Sequence, residues 1–306
     1  MALSGGRVGY LAPDGLLVWS ISDRKQVAKV ALDEPRALGV MKDGALLAVD
    51  GPGRKVCRLA PGSSAAECWP AVIPVPRPGM ARVFGDSKAA DRFWVVGARA
   101  LLGWETRLVA GNLGSAGRHE LSGVSAPGAQ PVVAALPSGE FVALQSTKLG
   151  VVAADGTLRE LDWPGGPRNL AAGPPGQVWV HMGDSSLIRV ELTDPPRRAV
   201  VAERDGKDKV IYALSGSASH AAALVAEQSA PRNGKPGWSV VTWHNDGKVA
   251  QRIVLPWQPQ VTEVTDESEP SIALSAKPAL VAVADHAHVV VWDIDTGKVV
   301  FEHTMP

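Results

Sequence analysis

Cysteine is scarce in this 306-residue chain, with only Cys57 and Cys68. Two cysteines cannot make the dense disulfide framework on which small secreted domains depend, and no Cys-x-x-Cys or Cys/His spacing suggests a zinc site. A charge imbalance is missing as well: 31 Lys and Arg balance 31 Asp and Glu. That removes any sequence-wide field that would draw the chain to nucleic acid or to an anionic membrane. No apolar run reaches the roughly 18 residues that a spanning helix needs. The start, Met1 to Arg7, lacks the apolar core of a secretory signal. A soluble cytoplasmic protein of bacterial type is the expectation, although an exported mature domain would begin in the same way. Nucleophile elbows, P-loops and dinucleotide fingerprints are absent too. Finally, 4 Phe and 2 Tyr are few, which makes the 10 Trp conspicuous.

What is present is turn chemistry joined to a core. The chain holds 32 Gly and 24 Pro, yet 45% of its residues are hydrophobic. Short alternating or β-branched runs succeed one another, among them Leu16 to Ile21, Ala45 to Val49, Arg92 to Val96 and His288 to Trp292. Between them lie Pro13-Asp14-Gly15, Lys42-Asp43-Gly44, Ala154-Asp155-Gly156 and Asn245-Asp246-Gly247, which suit tight hairpins. Only Ala218 to Glu227 has a helical look, and its setting predicts a strand. Cys57 and Cys68 stand symmetrically about Pro61-Gly62-Ser63-Ser64 and would face each other across a hairpin. A bridge is open to them geometrically, but so small a cysteine count predicts two buried thiols.

The runs repeat. Gly6 to Val30 aligns with Pro278 to Phe301 as three strands carrying a Trp late in the middle one, Trp19 and Trp292. Trp104 and Trp243 hold similar places, at intervals of about 43 to 49 residues per repeat, the period of a propeller blade. A second series, Trp69, Trp163 and Trp257, adjoins prolines at two equal gaps of 94 residues. Each follows what would be the outermost strand of a blade. These anchors predict an all-β, seven-bladed β-propeller of four-stranded antiparallel blades in one domain, with blades at about 1–34, 35–78, 79–126, 127–166, 167–206, 207–260 and 261–306. The first blade is expected to lack its innermost strand, since so few residues precede Arg7. A blade cannot bury both faces alone, so neighbours must stack.

Val289 to Lys298, with its Trp292-Asp293 dipeptide and Thr296-Gly297-Lys298 turn, resembles the third strand and following turn of a WD40 repeat. The resemblance implies that Asp285, seven positions earlier, is the turn aspartate that bonds the Trp through a Ser/Thr and a His. Ala282 and Ala284 stand where those partners would be, and elsewhere the motif decays to Val18-Trp19-Ser20 or Thr242-Trp243-His244. Pro167 to Val180 is similar to the repeats of lactonase-type and virginiamycin-lyase-type propellers. That likeness implies channel carboxylates with a divalent metal, or a His/Glu pair.

Candidate sites follow from these placements. Trp69, Trp163 and Trp257 are anchors for a partner if exposed, and inter-blade packing residues if not. Gln228 to Gly237 is the longest interruption within a blade, which makes Arg232 and Lys235 candidate contacts on a functional loop. Asp266 and Glu267 belong to the acidic run 263–269, which could dock a basic partner. His286 and His288 are the only histidines at strand-face spacing; with Asp285 adjacent they could hold a metal, but no third ligand is evident and a polar turn at a blade edge is the expectation. No catalytic residue, metal or cofactor is expected. The function predicted is a non-enzymatic scaffold or adaptor whose partner is another protein, in an assembly that could contain an ATPase, with neither nucleic acid nor membrane. The alternative is a lactonase- or lyase-type enzyme with its site at the channel mouth.

Overall fold

Alternating apolar residues need a sheet to pair with, and here every strand finds its partner next to it in sequence. The computed structural model describes residues 1–51, 54–71, 83–86, 88–96, 100–120, 132–144, 148–153, 155, 157–162, 167–184, 186–202, 209–232, 235–259, 270–285 and 287–304. Blade 1 consists of β1 (Ala2–Ser4), β2 (Arg7–Ala12), β3 (Gly15–Ser20) and β4 (Lys25–Ala31). Blade 2 consists of β5 (Ala37–Val40), β6 (Leu46–Val49), β7 (Lys55–Leu59) and β8 (Glu67–Pro70). Blade 3 holds β9 (Val83–Gly85), β10 (Arg92–Val96), β11 (Ala100–Val109) and β12 (Asn112–Glu120). Blade 4 holds β13 (Val132–Ala135), β14 (Phe141–Leu144), β15 (Lys148–Val152) and β16 (Leu158–Asp162). Blade 5 holds β17 (Pro167–Ala172), β18 (Gln177–Met182), β19 (Leu187–Glu191) and β20 (Arg197–Ala202). Blade 6 holds β21 (Lys209–Gly216), β22 (His220–Arg232), β23 (Lys235–His244) and β24 (Val249–Val254). Blade 7 holds β25 (Ser271–Ala276), β26 (Ala279–Ala284), β27 (His288–Asp293) and β28 (Val299–Thr304).

All seven sheets are four-stranded meanders in chain order, the blades of a β-propeller. No helix occurs among the described residues. The chain divides into two compact units, Met1–Pro131 with Val152–Thr157 and Val132–Val151 with Leu158–Pro306. Within the first, one apolar cluster joins blades 1 and 2 through Leu16, Val18, Leu46 and Cys57, and another joins blades 2 and 3 through Leu47, Val56, Phe93 and Val95. Within the second, clusters join blades 4 and 5, 5 and 6, and 6 and 7. Burial of both sheet faces by a neighbour is what holds such a stack together.

Innermost strands come close enough to exclude a side chain. A Cβ on Gly39 would lie 2.2 Å from the Val83 carbonyl oxygen of the next blade, and one on Gly216 would lie 2.0 Å from that of Ala172. The aspartates of the hairpin turns bond the chain two residues on: Asp43 Oδ1 accepts the Ala45 N–H and Asp246 Oδ1 that of Lys248. Gly44 and Gly247 then supply the left-handed backbone, at φ 84° and 87°.

Three expectations are corrected. Blade 1 does have its innermost strand: three residues suffice, because Ala2 and Leu3 are buried and Ser4 Oγ donates to the Gly44 carbonyl of blade 2 at 2.8 Å. Cys57 and Cys68 are bonded, not free thiols. They are register partners on β7 and β8, 4.1 Å apart at Cα, so local pairing overrode the argument from composition. The interruption at 228–237 is largely strand, since β22 runs to Arg232 and β23 starts at Lys235. Ala218 to Glu227 lies mostly within β22, as a strand.

The middle-strand tryptophans share a local irregularity. At Trp19, Trp104, Trp243 and Trp292 the pairing of the third strand with the fourth slips by one residue. The fourth-strand residues paired with them are Gln26, Ser115, Val249 and Val299, and all four are exposed. A bulge bends the strand and sharpens its twist, which turns each of these residues outward opposite a tryptophan packed inward.

Candidate functional site

Among the described residues, two buried carboxylates, Asp285 and Asp86, each accept a tryptophan indole N–H. In blade 7, Asp285 follows β26. Its Oδ1 accepts the backbone N–H groups of Ala287 at 2.9 Å and His288 at 2.8 Å, and its Oδ2 accepts the Trp257 indole N–H at 3.0 Å. His288 Nδ1 lies 3.4 Å from the same carboxylate. The Trp257 ring stacks on Trp292 at 6.1 Å and 6°, and meets the His288 ring at 5.3 Å. Asp285 thus takes the indole of the preceding blade's outer-end tryptophan directly, where the WD40 resemblance implied a relay through a Ser/Thr and a His. In blade 3, Asp86 follows β9. Its Oδ1 accepts the Lys88 N–H at 2.7 Å and its Oδ2 the Trp94 indole N–H at 3.2 Å. Arg92 lies 3.7 Å away and also reaches Glu105 at 3.5 Å. Both oxygens of each carboxylate are occupied by N–H donors, which suits them to fastening rather than to proton transfer.

Trp69, the last residue but one of β8, packs, with Trp104 of the next blade, against the cluster between blades 2 and 3. Trp257 packs in the same way against the cluster between blades 6 and 7. Trp163, Asp266, Glu267 and His286 lie outside the described residues. Arg232 and Lys235 are the last cross-strand pair of the β22–β23 hairpin, so the structure brings these two together and leaves them apart from the tryptophans in sequence register.

The remaining polar groups with latent chemistry are histidines. His181, on β18, is buried, and its Nε2 has no hydrogen-bond partner. Burial above all, then the Arg168 charge, pushes its pKa down to about 4, against a weaker opposing pull from Asp184. His220 and His244 are register partners on β22 and β23 with ring centroids 5.0 Å apart. Burial lowers the His220 pKa, the His244 charge lowers it further, and Asp295 opposes both. Sequence spacing could not show this pair, because 24 residues separate its members until the hairpin register is known. Among the described residues no three His, Cys, Asp or Glu side chains converge as a metal site.

No protein-family model matches the chain, and no curated protein matches it. Solved structures do match. The RRP9 WD40 repeats align at TM-score 0.62 with 10% identity, over 92% of this chain and 84% of that one. Virginiamycin B lyase from Staphylococcus aureus aligns at TM-score 0.57 with 12% identity, over 89% and 84%. Apo AztD from Citrobacter koseri aligns at 0.56 with 15% identity, over 98% and 94%. What the chain shares with all three is the β-propeller fold. Both kinds of propeller suggested by the sequence, the WD40 kind and the lyase kind, are thus among its structural relatives.

Proposed function

We propose that the protein is a non-enzymatic interaction module that binds another protein along the outer strands of blades 5 to 7. One observation carries this reading. The outward position opposite the bulge tryptophan is polar in blades 1 and 3, Gln26 and Ser115, but valine in blades 6 and 7, where Val249 is 57% and Val299 46% exposed. Val254 on β24 and Val200 on β20 are exposed as well, at 59% and 55%. Solvent-facing valines on outer strands expose both apolar surface and unpaired backbone groups, which monomeric sheet proteins ordinarily blunt with charge. The fully engaged carboxylates of Asp86 and Asp285 support the non-enzymatic side of the proposal. An assembly containing an ATPase is the finer version.

The Cys57–Cys68 bridge supports an oxidising compartment rather than the cytoplasm. Alkylation of the protein in intact cells, followed by mass spectrometry, distinguishes the bridged form from free thiols. For the partner, tagged protein is purified from its native cells, the co-purifying protein identified, and the pair reconstituted from pure components. Val249→Glu and Val299→Glu should each weaken the complex at least about tenfold, close to 1.4 kcal/mol, while Gln26→Glu and Ser115→Glu leave it intact. A chain that stays monomeric and partnerless, or a complex indifferent to the valines, would overturn the proposal.

A further inference from the structure

The His220–His244 pair has no part in the proposed docking rim, and its geometry answers a different need. His220 is more than nine-tenths buried at the start of β22. Its Nδ1 is 2.9 Å from Ser219 Oγ, and the turn is tied further by Ser217 Oγ, which accepts the Ser219 and His220 N–H groups. In the tautomer whose Nδ1–H donates to Ser219 Oγ, the lone pair falls on Nε2. That Nε2 is shielded from solvent and has no hydrogen-bond partner. Leaving a buried acceptor unmet is costly, so a ligand for it is worth seeking. Directly opposite in the ladder stands His244, exposed at the end of β23. The two rings are 5.0 Å apart at their centroids and inclined by 47°.

Two imidazoles on one tetrahedral ion, each with a metal–nitrogen bond of about 2.0–2.1 Å, place their ring centroids about 5 Å apart. The observed centroid separation matches that figure. The hydrogen bond from the far ring nitrogen to Ser219 is also the outer support that ligating histidines use to fix ring orientation. Nearby oxygens are those of Asn245, whose Oδ1 is buried without a partner while its Nδ2 donates to the Ala218 carbonyl at 2.6 Å, and of Asp295, close enough to act on His220 electrostatically. Asp246 is similarly coupled to His244.

We propose that His220 and His244 form a cross-strand chelate for one imidazole-seeking divalent ion of the Zn2+ class, with water completing the shell. Two protein ligands make this a site of modest affinity that exchanges its ion, in contrast to a closed structural site of four. Because the pair joins the first residue of β22 to the last of β23, a bound ion also ties the open end of that hairpin, and loading raises the unfolding temperature.

The test uses the full chain freed of any histidine tag. Calorimetric titration with zinc sulfate should show one ion per chain and a rise in unfolding temperature. His244→Ala, at an exposed position that the fold tolerates, should weaken binding about tenfold or more and abolish the thermal shift, and His220→Gln should do the same. His288→Ala should bind as the wild type does. No binding heat, a stoichiometry unaffected by His244→Ala, or a loss produced by His288→Ala instead would overturn the assignment.

Discussion

Two seams of the molecule solve one problem by different chemistry. At each, a tryptophan at the end of one blade's outer strand must be held against the next blade. In the seam of blades 2 and 3 the tryptophan is Trp69, and the residue before it, Cys68, is tied covalently to Cys57 on the neighbouring strand. In the seam of blades 6 and 7 it is Trp257, held by a hydrogen bond to buried Asp285 and by stacking on Trp292. The first arrangement fixes the strand that carries the ring and lets packing place the ring itself. The second fixes the ring and needs no clamp on its strand. A covalent clip acts chiefly by restricting the unfolded chain, whereas an indole bonded to a buried carboxylate acts in the folded state.

That contrast can be broken from either side. Trp257→Ala removes the stacking ring and strands the Asp285 carboxylate, and should cost about 4 kcal/mol in denaturant unfolding. A cost below that of Trp69→Ala would reverse the ranking. Cys57→Ala/Cys68→Ala should cost about 3 kcal/mol, the entropy of a loop of some dozen residues. Reductant should produce the same loss in the wild type and leave the Trp257→Ala increment unchanged.

Acid tests a third place, independent of both pins. The His181 pKa of about 4 lies below that of an ordinary imidazole, so the unfolded chain binds the proton more readily. The stability that neutral His181 allows is therefore complete well above pH 6.5 and falls as the pH drops towards 4. Between pH 7.5 and 5 the loss should be about 2 kcal/mol, and His181→Phe should flatten that part of the profile. The smallest effect sharpens the comparison most: Trp257→Phe keeps one aromatic ring over Trp292 while removing the indole N–H and the second ring, for about 1.5 kcal/mol. A cost near that of Trp257→Ala would show that the hydrogen bond, not the stacking, holds this seam.

The ring-forming tryptophans were legible in the sequence because a repeat enforces its own spacing. Trp69 and Trp257 mark corresponding blade ends, and Trp19, Trp104, Trp243 and Trp292 mark one bulge. What stayed hidden depended on pairing across strands. The bond from Asp285 to Trp257 spans 28 residues and two blades, and the contact of His220 with His244 needs the register of a hairpin whose length the Pro and Gly residues at 231–237 disguise. The bridge was visible as geometry and was set aside on composition, although a tight turn between register partners is the more local and stronger constraint. β1 escaped notice because three residues carry almost no periodicity.

The bulge also changes how the outer strands should be read by anyone substituting them. Along β4, β24 and β28 the inward and outward positions alternate up to the residue opposite the tryptophan and then fall out of step by one. A saturation scan of these strands should therefore show mutational tolerance with a period of two that changes phase once per strand. Blade 5, whose third strand carries no tryptophan, slips instead between Leu187 and Ile188, so the scan would show where along each outer strand the phase changes without a single coordinate.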